Sequence, residues 1–383
     1  MAKKIIAVIV ILVALGGVIW QFGIRKGQQT QLPTYFSYTE GELQSLKDLS
    51  SQQKITTDDL YIWDERAFEK VEKTKTGDVT ASKFYAYLSI AQRDFANISH
   101  NKSGAYSGNL SLISKEVFCQ FYPADCQFIF TTGDEDSYSQ ALSQIILKKI
   151  KERMLADESQ AKPYEAKTGS EYWNGKEPMI GRETGSWKPW VLTSSSQFRV
   201  PPGPAYNSPE FLTQLRLTQE ALKNVTTEQR DAVVFWAGGP STKTPPGIWL
   251  EIADNYTKEK QLPLEKVLST RAALTLAMAD AFIGCFDSKY TYWVKRPFMM
   301  DPTIQTVMPT PNHPSYPAGH ACVSSAADVV LSHYLPENEA NWNSQAHEAA
   351  NSRLWGGIHY TIDNEQGFIL GTKVGELVVQ TMK

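Results

Sequence analysis

Between Lys289 and Asp363 the sequence gathers basic and imidazole side chains in three short pieces. Lys289 is followed after six residues by Arg296-Pro297. Pro317-Ala318-Gly319-His320 comes next, and Ser352-Arg353 then leads after five residues to His359 and after three more to Asp363. Each piece alone is ordinary, since a lysine and an arginine seven apart usually describe a solvated helix face. Together in one segment they describe a site for a tetrahedral oxyanion such as phosphate or vanadate, which needs several donors spread around its oxygens. Lys289, Arg296 and Arg353 supply the charge, arginine as a planar fork that can bond two oxygens and lysine as a compact point charge. Gly319 lets the backbone approach the anion. His320 opens an apolar run to Leu335 that reads as a helix, whose N-terminus offers free N–H groups. His359 and Asp363 are four apart and would share one helical face. The carboxylate then accepts the proton of one ring nitrogen and leaves the other free to attack or to ligate.

These three pieces resemble the signature of the type-2 phosphatidic acid phosphatase and vanadium-dependent haloperoxidase superfamily, over the chain from Pro201 onward. The resemblance implies that His359 is either a phosphatase nucleophile or the protein ligand to vanadium. It implies that Lys289, Arg296, Gly319 and Arg353 hold the equatorial oxygens of the anion, with His320 as acid and base. His313, seven residues before His320, would line the halide side of the pocket; this position is His in bromoperoxidases and Phe in fungal chloroperoxidases. Ala318 departs from the pattern, because the family usually has Ser there, so one anion donor is missing. The leading expectation is a haloperoxidase-like oxidoreductase with vanadate as cofactor and peroxide and halide as substrates. The alternative is a phosphomonoesterase without a cofactor, passing through a phosphohistidine at His359 and acting on a phosphate ester. A third reading is a phosphate-binding scaffold with no activity.

The elements that must position these residues read as helices throughout. Asp64 to Lys73, Ala81 to Ala96 and Tyr138 to Ala156 carry apolar residues at spacings of three and four with charges between them, and no run of alternating strands is present. Ser208-Pro209-Glu210 is an N-cap followed by proline in the first turn. Thr226 to Gln229 matches a capping box for a helix ending at Ala237-Gly238-Gly239. Leu264 to Phe286 is the longest helical pattern and delivers Lys289 at or just past its end. Pro309, Pro311, Pro314 and Pro317 stiffen the loop that places His320. Glu158 to Pro204, with Trp173, Trp187 and Trp190, reads as a crossing loop whose aromatics need burial. The fold class expected is all-α, with two packed helical bundles behind an N-terminal transmembrane helix.

Residues 5–23 form an uncharged apolar run flanked by Lys3-Lys4 and Arg25-Lys26, long enough to span a bilayer. No A-x-A-like cleavage site follows it, so an uncleaved anchor is favoured over a signal peptide. On that reading the body lies on the extracytoplasmic side of a membrane, or is secreted if residues 1–26 are removed. The expected organisation is an anchor over 1–26, a polar tether over 27–59, an N-terminal helical region over 60–200 and the oxyanion-binding helical domain over 201–383. A formal charge of -3 gives no support to nucleic-acid binding, and a 42% hydrophobic share is ample for a packed core. Cys119 and Cys126, with a Tyr-Pro turn between them, are placed for a local disulfide, whereas Cys285 and Cys322 sit on apolar stretches as buried thiols.

Overall fold

The computed structural model describes residues 34–100, 105–129, 136–239 and 241–382; the expected membrane anchor lies outside them. The described residues contain no β-strand, and their α-helices follow in order. These are α1 (Glu40–Leu43), α2 (Thr57–Thr74), α3 (Asp78–Ser99), α4 (Leu110–Phe121), α5 (Ser137–Gln160), α6 (Pro209–Lys223), α7 (Thr227–Phe235), α8 (Thr244–Glu259), α9 (Leu264–Tyr292), α10 (Pro297–Met300), α11 (Gly319–Tyr334), α12 (Glu339–Trp355) and α13 (Thr361–Thr381). Local chemistry sets several boundaries as the sequence predicts. Ser208 caps α6 through a bond from Phe211 N–H, and Thr226 with Gln229 closes a capping box on α7.

The helices gather into an N-terminal group around α3 and a C-terminal group of α11, α12 and α13, with α9 packed against both. One continuous apolar core joins the two groups. Among the described residues α9 alone is long and apolar enough to cross a membrane, and it is the buried centre of the fold. It runs to Tyr292, past the expected end at Phe286, so Lys289 lies in its last turn. No glycine or proline intervenes before Pro297, and the helix ends only where Trp293 adopts a left-handed conformation.

Residues 161–208 cross this frame with Trp173 and Trp190 buried. Two acids of α9 hold the crossing in place. Asp280 accepts the N–H groups of Trp190, Val191 and Leu192, and Asp287 pairs with Arg199 and accepts the Tyr164 hydroxyl. The Cys119–Cys126 disulfide is present at the end of α4, and Cys285 and Cys322 are free and buried. From Thr34 the chain is laid along the body, where Tyr35 N–H, Phe36 N–H and the Tyr38 hydroxyl all donate to Asp94.

Helices α11 and α13 approach unusually closely because Gly367, Gly371 and Gly375 recur every fourth residue and so share one face of α13. A Cβ at Gly367 would stand 2.7 Å from the Ala321 Cβ, and one at Gly375 would stand 2.8 Å from the Val329 Cβ. Only glycine permits that contact. It presses the start of α13, with Asp363, against the start of α11, with His320.

Candidate active site

Each candidate residue is carried by an element that the packing fixes. Lys289 comes from the last turn of α9, Arg296 is the N-cap of α10, His313 lies in the proline loop, and Ala318 caps α11 ahead of Gly319 and His320. Arg353 closes α12, His359 precedes α13, and Asp363 sits in its first turn. Asn312 pins the proline loop to the crossing segment by donating to the carbonyls of Lys176 and Pro178.

His359 and Asp363 meet in a way that differs from the expected shared helical face. His359 lies outside the helix, and Asp363 reaches back over the helix start. Its Oδ2 is 2.8 Å from His359 Nδ1 and accepts the Tyr360 N–H at 3.2 Å. The same carboxylate therefore reaches back to satisfy the N–H of the N-cap residue Tyr360 and orients the imidazole. With Nδ1 facing a carboxylate, the ring carries its proton there and Nε2 is bare. Nε2 lies 3.4 Å from Arg296 Nη1.

The cations are sunk completely: Lys289, Arg296 and Arg353 are each 0% exposed. Lys289 Nζ donates to the carbonyls of Pro314, Ser315 and Pro317 at 3.0, 2.7 and 2.5 Å, so it braces the proline loop as well as charging the pocket. Arg296 donates to the carbonyls of His313 and Ile358 and lies 3.2 Å from His313 Nδ1. Arg353 donates to the Val233 carbonyl, the Ser352 hydroxyl and the Met308 sulfur. None of these partners is a carboxylate. Asp363 is spent on His359 and the start of α13. Asp78, whose field reaches Lys289, hydrogen-bonds Val79 N–H at the start of α3.

Burying charge without a counter-charge shifts its titration. Burial pushes Lys289 down to about 8, Arg296 to about 10 and Arg353 to about 9, all still cationic at neutral pH. Burial, reinforced by the cations around them, holds His313, His320 and His359 well below the usual imidazole range, so all three are neutral. Asp363 is pushed up to about 6 by burial, against the Ser315 hydroxyl that favours its ionised form. At neutral pH the pocket therefore holds three side-chain cations against the ionised Asp363, an arrangement that costs stability unless an anion completes it.

The remaining donors also fit an oxyanion. Gly319 begins α11, whose first N–H groups have no partner within the helix. A Cβ at Gly319 would meet only Phe282, at 3.6 Å, so space is open beside this backbone. His320 Nε2 donates to the Trp236 carbonyl at 2.7 Å, which leaves Nδ1 as its free basic nitrogen. His313 packs against the Phe286 ring at a tilt, with the ring centroids 5.1 Å apart. Ala318 is fully buried and packs with Ala321, Ala350 and Phe368.

The structure thus brings Lys289, Arg296, His313, Gly319, His320, Arg353, His359 and Asp363 to one place. The sequence reading missed two contributions. The carbonyls of Val233 and Trp236, at the negative end of α7, hold Arg353 and His320. Ser315 touches Asp363 and His359 through a hydroxyl that carries no spacing signal.

Residues 269–383, which include every candidate site residue, match the PAP2 superfamily. No curated protein matches the chain. Among solved structures, the first bacterial vanadium-dependent iodoperoxidase is similar with a TM-score of 0.71 and 24% identity, over 86% of this chain and 97% of that one. An apo-type bacterial vanadium-dependent chloroperoxidase is similar with a TM-score of 0.62 and 12% identity, over 79% of this chain and 93% of its own. A holo-type bacterial vanadium-dependent chloroperoxidase gives 0.58 and 13%, over 88% and 98%. The all-α fold of this chain is therefore similar to that of the vanadium-dependent haloperoxidases across both helical groups.

Proposed function

We propose that this chain is a vanadate-dependent haloperoxidase-type oxidoreductase that uses peroxide to oxidise halide. The observation that carries the reading is the unneutralised set of buried cations around the bare Nε2 of His359. Vanadate fits this donor set: His359 Nε2 would be its ligand, and Lys289, Arg296, Arg353 and the Gly319 N–H would hold its oxygens. When bound, vanadate supplies an electrophilic centre at which peroxide is activated toward halide. The chain's own residues do the rest. Asp363 keeps the His359 proton on Nδ1, the cations stabilise charge developing on oxygen, and His320 Nδ1 moves a proton at the pocket wall. His313, beside Phe286 and Arg296, faces the halide side. The Cys119–Cys126 disulfide favours an oxidising, extracytoplasmic compartment for the body, with residues 5–23 as its membrane attachment.

The test is a pair of assays on one preparation. Anion-free protein given vanadate, peroxide and bromide should halogenate a phenolic acceptor, and His359→Ala should abolish the turnover. Hydrolysis of a generic phosphate ester without vanadate, and no halogenation with it, would replace this reading by a phosphomonoesterase with His359 as nucleophile. Phosphate binding with neither activity would leave a scaffold.

A further inference from the structure

Ser315 sits in the proline loop with its backbone fixed on both sides. Its N–H donates to the Val294 carbonyl at 2.9 Å, its carbonyl accepts from Lys289 Nζ at 2.7 Å, and its side chain is fully buried. The hydroxyl donates to Asp363 Oδ2 at 2.5 Å and lies 3.3 Å from His359 Nδ1. Because Nδ1 is itself 2.8 Å from Oδ2, the three side chains form a closed triangle. A hydroxyl whose proton points to the carboxylate turns a lone pair toward the ring, so the Nδ1 proton finds two acceptors. Both acceptors require the same tautomer.

We propose that Ser315 is a positioning residue, which together with Asp363 locks His359 in the form protonated on Nδ1 and aims Nε2 into the oxyanion pocket. What Nε2 does there rests on the function proposed above; where the ring proton sits rests on the triangle alone. The arrangement has a second consequence. Since the Ser315 carbonyl also holds Lys289, one loop residue ties the position of the imidazole to that of a cation. It also makes the orientation of His359 redundant, because losing the Asp363 charge leaves the serine oxygen as an acceptor.

Protein labelled with nitrogen-15 in its histidines tests this by nuclear magnetic resonance, with His359 assigned by difference against His359→Gln. The wild type should show the His359 proton on Nδ1, and Asp363→Asn should keep it there. Asp363→Asn combined with Ser315→Ala should lose it. Ser315→Ala alone should keep the proton on Nδ1, because the Asp363 carboxylate still accepts it, but should shift the His359 nitrogen signals through the lost second acceptor and weaken vanadate binding about tenfold, the lower end of the usual loss when a group supporting a metal ligand is removed. Ser315→Thr, which keeps the hydroxyl, should restore both readouts. A wild-type ring protonated on Nε2 would overturn the proposal, as would Ser315→Ala with unchanged nitrogen signals and unchanged affinity. If Ser315→Ala does not fold, loss of the Nδ1 proton in Asp363→Asn is the overturning result. A wild type with neither activity that still gives the expected tautomer pattern would sink the functional reading and keep this one.

Discussion

Arg271 and Lys289 are carried by the same helix, and both are buried completely, yet their company is opposite. Arg271 meets two carboxylates, Asp64 from α2, whose Oδ2 accepts its Nε–H at 2.7 Å, and Asp254 from α8 at 3.6 Å. Burial, with the Asp64 charge beside it, pushes Asp254 far up, so that carboxyl keeps its proton. One cation then faces one anion, and the cluster is neutral. Around Lys289, Arg296 and Arg353 the partners are carbonyls, a hydroxyl, a thioether and two imidazoles. The same physical cost of desolvation is answered by carboxylates inside the protein at one end of α9 and by no side-chain carboxylate in contact with these cations at the other. On the function proposed above, the contrast separates a charge cluster that holds helices together from one that takes up an anion.

The largest expected effect breaks the neutral cluster. Arg271→Ala leaves Asp64 and Asp254 buried without their cation and should cost about 3–5 kcal/mol of stability, read as a lowered denaturation midpoint. The oxyanion pocket lies at the far end of α9, so vanadate affinity in the folded fraction should be unchanged. A stability loss below about 1 kcal/mol would mean that Arg271 does not hold Asp64 and Asp254 in the fold.

Much of this was legible in the chain. The cap at Ser208, the capping box at Thr226, the local disulfide and the three helical patterns of the N-terminal half follow from nearest-neighbour chemistry, which a sequence displays directly. The pocket was legible because its residues fall within one short segment, so spacing alone restricts how they meet. Four-residue spacing suggests that His359 and Asp363 share a helix face. The structure shows the carboxylate capping α13 and reaching outward, which spacing cannot distinguish. The Arg271 cluster joins residues far apart in sequence with no shared pattern, and the α7 carbonyls are backbone groups, alike at every residue. The Gly367, Gly371 and Gly375 repeat is visible in the sequence as a four-residue period of small residues on one face, but the partner helix it presses against is not.

A smaller effect sharpens the other side of the comparison. Ala318→Ser adds one donor at the start of α11, and a hydrogen bond to a charged group there, discounted for existing solvation, should contribute about 1 kcal/mol. Vanadate should bind roughly fivefold tighter, with halide preference unchanged because that should follow His313. An unchanged or weaker constant on titration would mean that residue 318 belongs to the packing with Ala350 and Phe368 rather than to the anion.

The central claim, that these buried cations are completed by a tetrahedral oxyanion, is tested most directly by calorimetric titration with molybdate, whose charge is constant from neutral pH upward. Burial lowers Lys289 from 10.5 to about 8, so the cation is present below that pH and lost above it. Between those two values the unfolded chain binds the additional proton, so Lys289 contributes a rise in the stability of the anion-free protein just where the site loses charge. One molybdate should bind per chain at neutral pH, and its affinity should fall as pH passes about 8. No uptake at neutral pH, or an affinity that does not fall across that range, would contradict the account.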